Sequence, residues 1–169
     1  MLTIYNKAEI IVKTVRLKDN ALPKEDISFP TFKYEELINE DWESSDLKEI
    51  LEHKFLFVFF QFRHGKLLLK KVKFWNMPYK DIMQAKVVWE KTKAIVESGN
   101  IVKNIKNNKR RTNFPDKKFN SVSHVRPHAR NADDTYPLPT ADRLTHLKHY
   151  TKHSFWLNSR YIRDEIYLK

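Results

Sequence analysis

Residues 54–75 read KFLFVFFQFRHGKLLLKKVKFW, two apolar runs joined at a turn. Lys54 to Phe62 is the most apolar run in the chain, and its aromatic and β-branched content marks a buried strand. His64-Gly65 suits a tight hairpin turn, so Lys66–Trp75 returns as a second strand. The lysines of that return place it near a sheet edge or on one face. Upstream, Ala8 to Leu17 (AEIIVKTVRL) alternates and is expected to be a further strand, followed by a turn over Lys18–Lys24. Ile27–Phe32 is expected to be a short extended piece interrupted by Pro30.

Helical signals fill the space between. Tyr34–Asn39 fits a short helix. Asp46–His53 fits another, capped by Ser45 or Asp46, with Glu49 in the capping-box position. Pro78 sits where a helix can begin, and Gly99 where one can stop. Between them Ile82, Ala85, Trp89 and Val96 fall on one helical face, which makes Trp89 a core residue. Residues 103–121 lack periodicity and read as a loop, or as a loop around a short hairpin. Ser123–Arg126 reads as a strand and Thr135–Ala141 as a proline-punctuated loop. A final helix is expected over Leu157–Leu168. The sum is an α/β (α+β) domain with a mixed β-sheet flanked by helices, spanning 1–169 as one domain.

Composition narrows the function. With 41% apolar residues the chain can build a core. Two glycines and no cysteine exclude glycine-rich nucleotide loops, zinc knuckles and thiol catalysis. No apolar run is long enough to span a bilayer, and a cytoplasmic chain is expected. The net charge is +11, unevenly spread. Residues 100–169 hold 15 Lys/Arg against 6 Asp/Glu, a surplus of +9, which leaves +2 for residues 1–99. Such asymmetry suggests a polyanionic partner, most simply nucleic acid.

Three groups of residues carry candidate chemistry. Many metal-dependent nucleases set an Asp near a Glu-x-Lys triplet on a strand, because residues two apart share a face and combine a metal ligand with a cation. Here the triplet is Ile11-Val12-Lys13, so the lysine is present and the carboxylate absent. Glu9, with Asp19, Glu25 or an acid from a partner domain, is the remaining acidic option. Lys103, Lys106, Lys109, Arg110, Arg111, Lys117 and Lys118 suit phosphate contacts, with Phe114 and Phe119 expected to anchor the loop. Arg126-Pro127-His128 offers an arginine, the commonest reader of guanine in the major groove, on a stiffened backbone. His124 with His128, and His146, His149 and His153, recur at ligand-like spacing. No carboxylate accompanies them, and no metal site is assigned.

These pieces together resemble the MutH family, which includes GATC-cutting type II restriction endonucleases. IVKTVRL resembles the family's catalytic strand, which carries Glu-Leu-Lys-Thr. HVRPHARNA resembles its Arg-Pro-Lys-Ala-Ala-Asn segment, SFWLNSRYI its aromatic-Leu-Lys segment, and KFWNMP with the Trp89 helix the region between. The likeness takes in most of residues 8–167. It is greatest to the C-terminal domain of the staphylococcal-type two-domain enzymes. There the first domain cuts, and the second lacks a complete catalytic set and binds another GATC site as an allosteric effector.

The resemblance implies a restriction-endonuclease-like fold. It implies base reading by Arg126, Pro127 and His128, and Trp156 at the DNA interface. Lys13 stands at the catalytic lysine position as a vestige, and Ile11 stands where the metal-binding Glu belongs. The stretch around Ile4 offers no acid, and the family's N-terminal helical arm has no counterpart. The implied partners are duplex DNA containing GATC and a catalytic MutH-like domain of the same enzyme. No cofactor is expected in this domain, with Mg²⁺ serving the full enzyme. The alternatives are a Mg²⁺-dependent GATC endonuclease or nicking enzyme, and a basic domain that binds any polyanion.

Overall fold

The computed structural model describes residues 10–101 and 112–169 in full, and residues 3–5, 103–106 and 109–111 as strand backbone. Its centre is the hairpin of the opening stretch. Among the strands, β1 is Thr3–Tyr5, β2 Ile10–Leu17, β3 Ile27–Phe32, β4 Lys54–Arg63 and β5 Lys66–Trp75. The turn residues His64 and Gly65 both have positive φ, 49° and 73°, the mirror-image turn whose twist matches a hairpin. One four-stranded sheet runs β1-β2-β4-β5, with β2 and β4 parallel and the other pairs antiparallel. The lysine-bearing β5 lies at its edge.

The odd-numbered residues of β4 build the core. Phe55, Phe57 and Phe59 are fully buried and stack in series at 5.7 and 5.8 Å between ring centroids. Each buried phenylalanine contributes about 1.5–3 kcal/mol of transfer free energy. Ile11, Val15 and Leu17 of β2 share that inner face, and Trp75 of β5 closes it edge-on to Phe57. The outward-facing residues of β4 and their partners on β5 behave otherwise. Leu56, Val58 and Phe60 are half-buried, and Phe62, Leu67, Leu69, Val72 and Phe74 are exposed. The expected buried strand is thus buried on its inner face, while its outer face is only half-covered along Leu56, Val58 and Phe60.

Helices α1 (Tyr34–Asn39), α2 (Asp46–Glu52) and α3 (Tyr79–Ser98) follow the sequence reading closely. The Ser45 side chain caps α2 by accepting from the Lys48 N–H. That makes Lys48 the third helical residue, so Glu49 is not in the capping-box position. Pro78 caps α3, Gly99 ends it in the left-handed region, and Ile82, Ala85, Trp89 and Val96 are all buried.

Strands β6 (Lys103–Lys106) and β7 (Lys109–Thr112) form the short hairpin. A second sheet, of order β3-β11-β8, combines β8 (Ser123–Pro127) with β11 (His153–Leu157). Pro30 does not break β3, because β3 is an edge strand of this sheet and a missing N–H there costs no ladder bond. Part of the expected loop at 135–141 is a strand, β9 (Thr135–Pro137), paired with β10 (His149–Thr151). Leu157 belongs to β11, so the C-terminal helix starts later, as α4 (Ser159–Tyr161) continuing into a wider turn over Ile162–Tyr167. Tyr161, Ile162 and Ile166 are buried there, and Tyr161 donates to Asp81 of α3.

Candidate nucleic-acid interface

The second sheet brings together residues that are far apart in the chain. Its register pairs Trp156 with His124 and Ser154 with Arg126, so these four share one face. Val125, Phe155 and Leu157 take the opposite face, in the core. His128 follows the end of β8, tied by its N–H to Lys152 O and by its ring to Ser154 Oγ at 2.7 Å. Pro127 is exposed at the strand end, opposite His153.

Arg126 is held from two sides. Its guanidinium carbon lies 3.8 Å from the centroid of the Trp156 ring, and Nη1 lies 3.3 Å from Asp26 Oδ2. Trp156 is itself only 7% exposed, with His128 tilted against it at 4.9 Å. In this arrangement the indole serves as a seat for Arg126 rather than as a surface open to a base. Arg126 remains exposed, and a guanidinium has donors beyond the one engaged by Asp26.

Asp26, at the entrance to β3, was not singled out in the sequence. Its Oδ1 accepts from the Ser159 N–H at 2.8 Å. Its Oδ2 meets Lys117 Nζ at 2.5 Å as well as Arg126. Burial would raise its pKa, but the Lys117 and Ser159 hydrogen bonds outweigh that and hold the carboxyl below its ordinary value. His124 Nε2 lies 3.8 Å from the same oxygen, yet burial lowers its pKa to about 4, so the ring is neutral at pH 7. His124 Nδ1 meets Asn158 Oδ1 at 2.5 Å. The His128 pKa is lowered by burial and then by the neighbouring Arg126 charge.

The other candidates are distributed as follows. Lys118 is exposed near Lys117, Phe114 is buried against His153, and Phe119 is exposed and anchors nothing in the core. The side chains of Lys103, Lys106, Lys109, Arg110 and Arg111 lie outside the described residues, as does Glu9. His153 is buried while His146 and His149 are exposed, so the trio shares no site.

Lys13 projects to the inner face of its sheet. Its Nζ donates to Ser28 O at 3.0 Å and lies 5.4 Å from the Phe29 ring, and burial lowers its pKa to about 8. Ile11, two residues earlier, is buried in the wall of a cleft of about 270 Å³ shared with Phe29, Leu37, Leu47 and Phe155. No group of three His, Asp or Glu residues that could hold a metal ion occurs among the described residues. Among the described residues, those around Lys13 supply no such group.

Fold and site define an α+β domain of restriction-endonuclease-like arrangement, whose smaller sheet displays an arginine-centred basic face. Its sequence is 34% identical to the type II restriction enzyme Sau3AI of Staphylococcus aureus, in an alignment that takes in 96% of this chain. The chain spans 39% of that enzyme's length. It is thus related to a type II restriction enzyme. No family model matches it. Among the described residues, no helix is long and apolar enough to cross a membrane.

Proposed function

We propose that this chain is a MutH-like domain that binds duplex DNA at GATC. It acts as the non-catalytic effector of a restriction endonuclease, coupled to a catalytic MutH-like domain. The observation that carries the reading is the seating of Arg126 between Trp156 and Asp26, with Lys117 beside it. A pre-positioned guanidinium loses less freedom on binding, and its fork matches the O6 and N7 acceptors of guanine.

In this reading Lys117, Lys118 and the cations of β6 and β7 contact phosphates and supply affinity without sequence choice. Arg126 supplies the choice, and His128 flanks it. The effect on a catalytic partner requires that GATC bind one state of the full enzyme more tightly than another. The similarity to a type II restriction enzyme supports DNA as the partner, and Ile11, standing where the resemblance implies a metal-binding Glu, supports a non-catalytic role.

The experiment is a competition. A labelled GATC duplex bound by the chain is displaced with unlabelled GATC duplex, with a duplex scrambled at those four positions, and with heparin. Displacement by GATC at lower concentration than by either of the others is expected. Equal displacement by all three would leave a basic domain that binds any polyanion.

A further inference from the structure

Asp26 stands out because it places a negative charge inside a face that is otherwise basic. Its side chain is 3% exposed, and one oxygen, Oδ2, serves both Lys117 and Arg126, whose side chains are about half exposed. The other oxygen is fixed by the Ser159 N–H at the start of α4. A carboxylate here lowers the attraction of the whole face for phosphate, so a domain selected only for grip on DNA gains nothing from it. What it supplies is position: one rigid anion ties residues 117 and 126, from separate segments, to the Trp156 seat.

We infer that Asp26 is the positioning residue of this interface, trading overall DNA affinity for sequence preference by fixing Arg126 and Lys117 in one geometry. This rests on the DNA-binding reading above. Asp26 touches no base. Without it Arg126 keeps only the indole contact, swings among rotamers, and reaches phosphate and base edges alike. Lys117 is likewise released to any nearby phosphate.

The test compares wild type, Asp26→Asn, Arg126→Ala and the double variant, each titrated against GATC and scrambled duplexes at fixed salt. Asn can keep one oxygen on the Ser159 N–H, but it puts an amide N–H₂ where Oδ2 faced the two cations. For Asp26→Asn, affinity for the scrambled duplex is expected to rise severalfold, from the lost negative charge. The preference for GATC is expected to fall by about tenfold, within the worth of one bidentate arginine–guanine pair. In the Arg126→Ala background the same change is expected to leave preference untouched, because the group it positions is gone.

A loss of both affinities in parallel, or an equal loss of preference in both backgrounds, would overturn the inference and make Asp26 merely structural. A wild type with no preference would instead defeat the underlying reading, which keeps the two failures apart. If Asp26→Asn fails to fold, Asp26→Glu keeps the charge and displaces it by one methylene. Preference should then fall with scrambled-duplex affinity unchanged, and an unaltered preference would overturn the inference.

Discussion

Arg126 and Trp156 are stacked, with the guanidinium carbon 3.8 Å from the indole centroid. Trp156 is held in the sheet by its register with His124 and Ser28, so it cannot follow a moving arginine. Trp is the strongest of the aromatic partners for a cation, and such a contact is worth about 0.5–1 kcal/mol at a partly exposed site. Trp156→Phe should therefore lower the GATC preference by about threefold. The salt dependence of binding should be unchanged, since no cation is removed. Anisotropy titrations at two salt concentrations measure both, and a reduced salt slope would count against the seating role.

Acid should destabilise the fold through its buried histidines. Burial holds His124 and His153 at about 4 in the folded chain, against about 6.5 when unfolded. Between those values the unfolded chain binds more protons, so stability falls as pH drops from 6.5 towards 4. The cause is visible in both side chains: their Nε2 atoms are buried without a hydrogen-bond partner among the described residues. The loss is on the order of 3 kcal/mol per histidine. Denaturant melts at pH 7 and pH 5 check this, and His153→Phe should flatten the slope between them. A slope unchanged in that variant would show that His153 is not the group responsible.

Lys13 acts in the same sense at higher pH, because burial lowers its pKa as well. Its folded pKa of about 8 lies below the unfolded value, so its burial destabilises the fold fully below pH 8 and less as pH rises to about 10.5. Lys13→Met loses one bond to Ser28 O but removes the buried charge. It should stabilise the chain by on the order of 1 kcal/mol at pH 7, with the gain shrinking by pH 9.5. Wild type and Lys13→Met should be equally inert towards a GATC plasmid with Mg²⁺. Nicking by wild type that the variant loses would restore the enzyme reading.

The outer face of the β1-β2-β4-β5 sheet should tolerate charge. Phe74 is 60% exposed and Leu69 59%, so little burial is lost by replacing them. Phe74→Lys is expected to change unfolding free energy by less than about 0.5 kcal/mol and to lower the binding of an apolar dye. A destabilisation several times larger would show this face to be packed in solution.

Elements set by local sequence were legible before the structure: the His64-Gly65 hairpin, the Pro78–Gly99 helix and the Trp89 stripe all depend on near neighbours. The fate of β4 was not legible. KFLFVFFQF is apolar on both faces, and a pattern shows what a strand could bury, not what is there to bury it. At the site, Arg126 and Trp156 were named, but the burial of Trp156 beneath Arg126 follows only from the register of β8 on β11. Asp26 was missed for a simpler reason: 100 residues separate it from Arg126, and nothing near it in sequence distinguishes it from Glu25.

The most direct measurement is fluorescence anisotropy at roughly 0.15 M salt, where nonspecific phosphate binding is weakened. A short GATC duplex and its scrambled counterpart are each titrated with wild type and with Arg126→Ala. Wild type is expected to prefer GATC by about tenfold or more, equal to about 1.4 kcal/mol, and Arg126→Ala to lose that preference. Equal wild-type affinity for the two duplexes would contradict it.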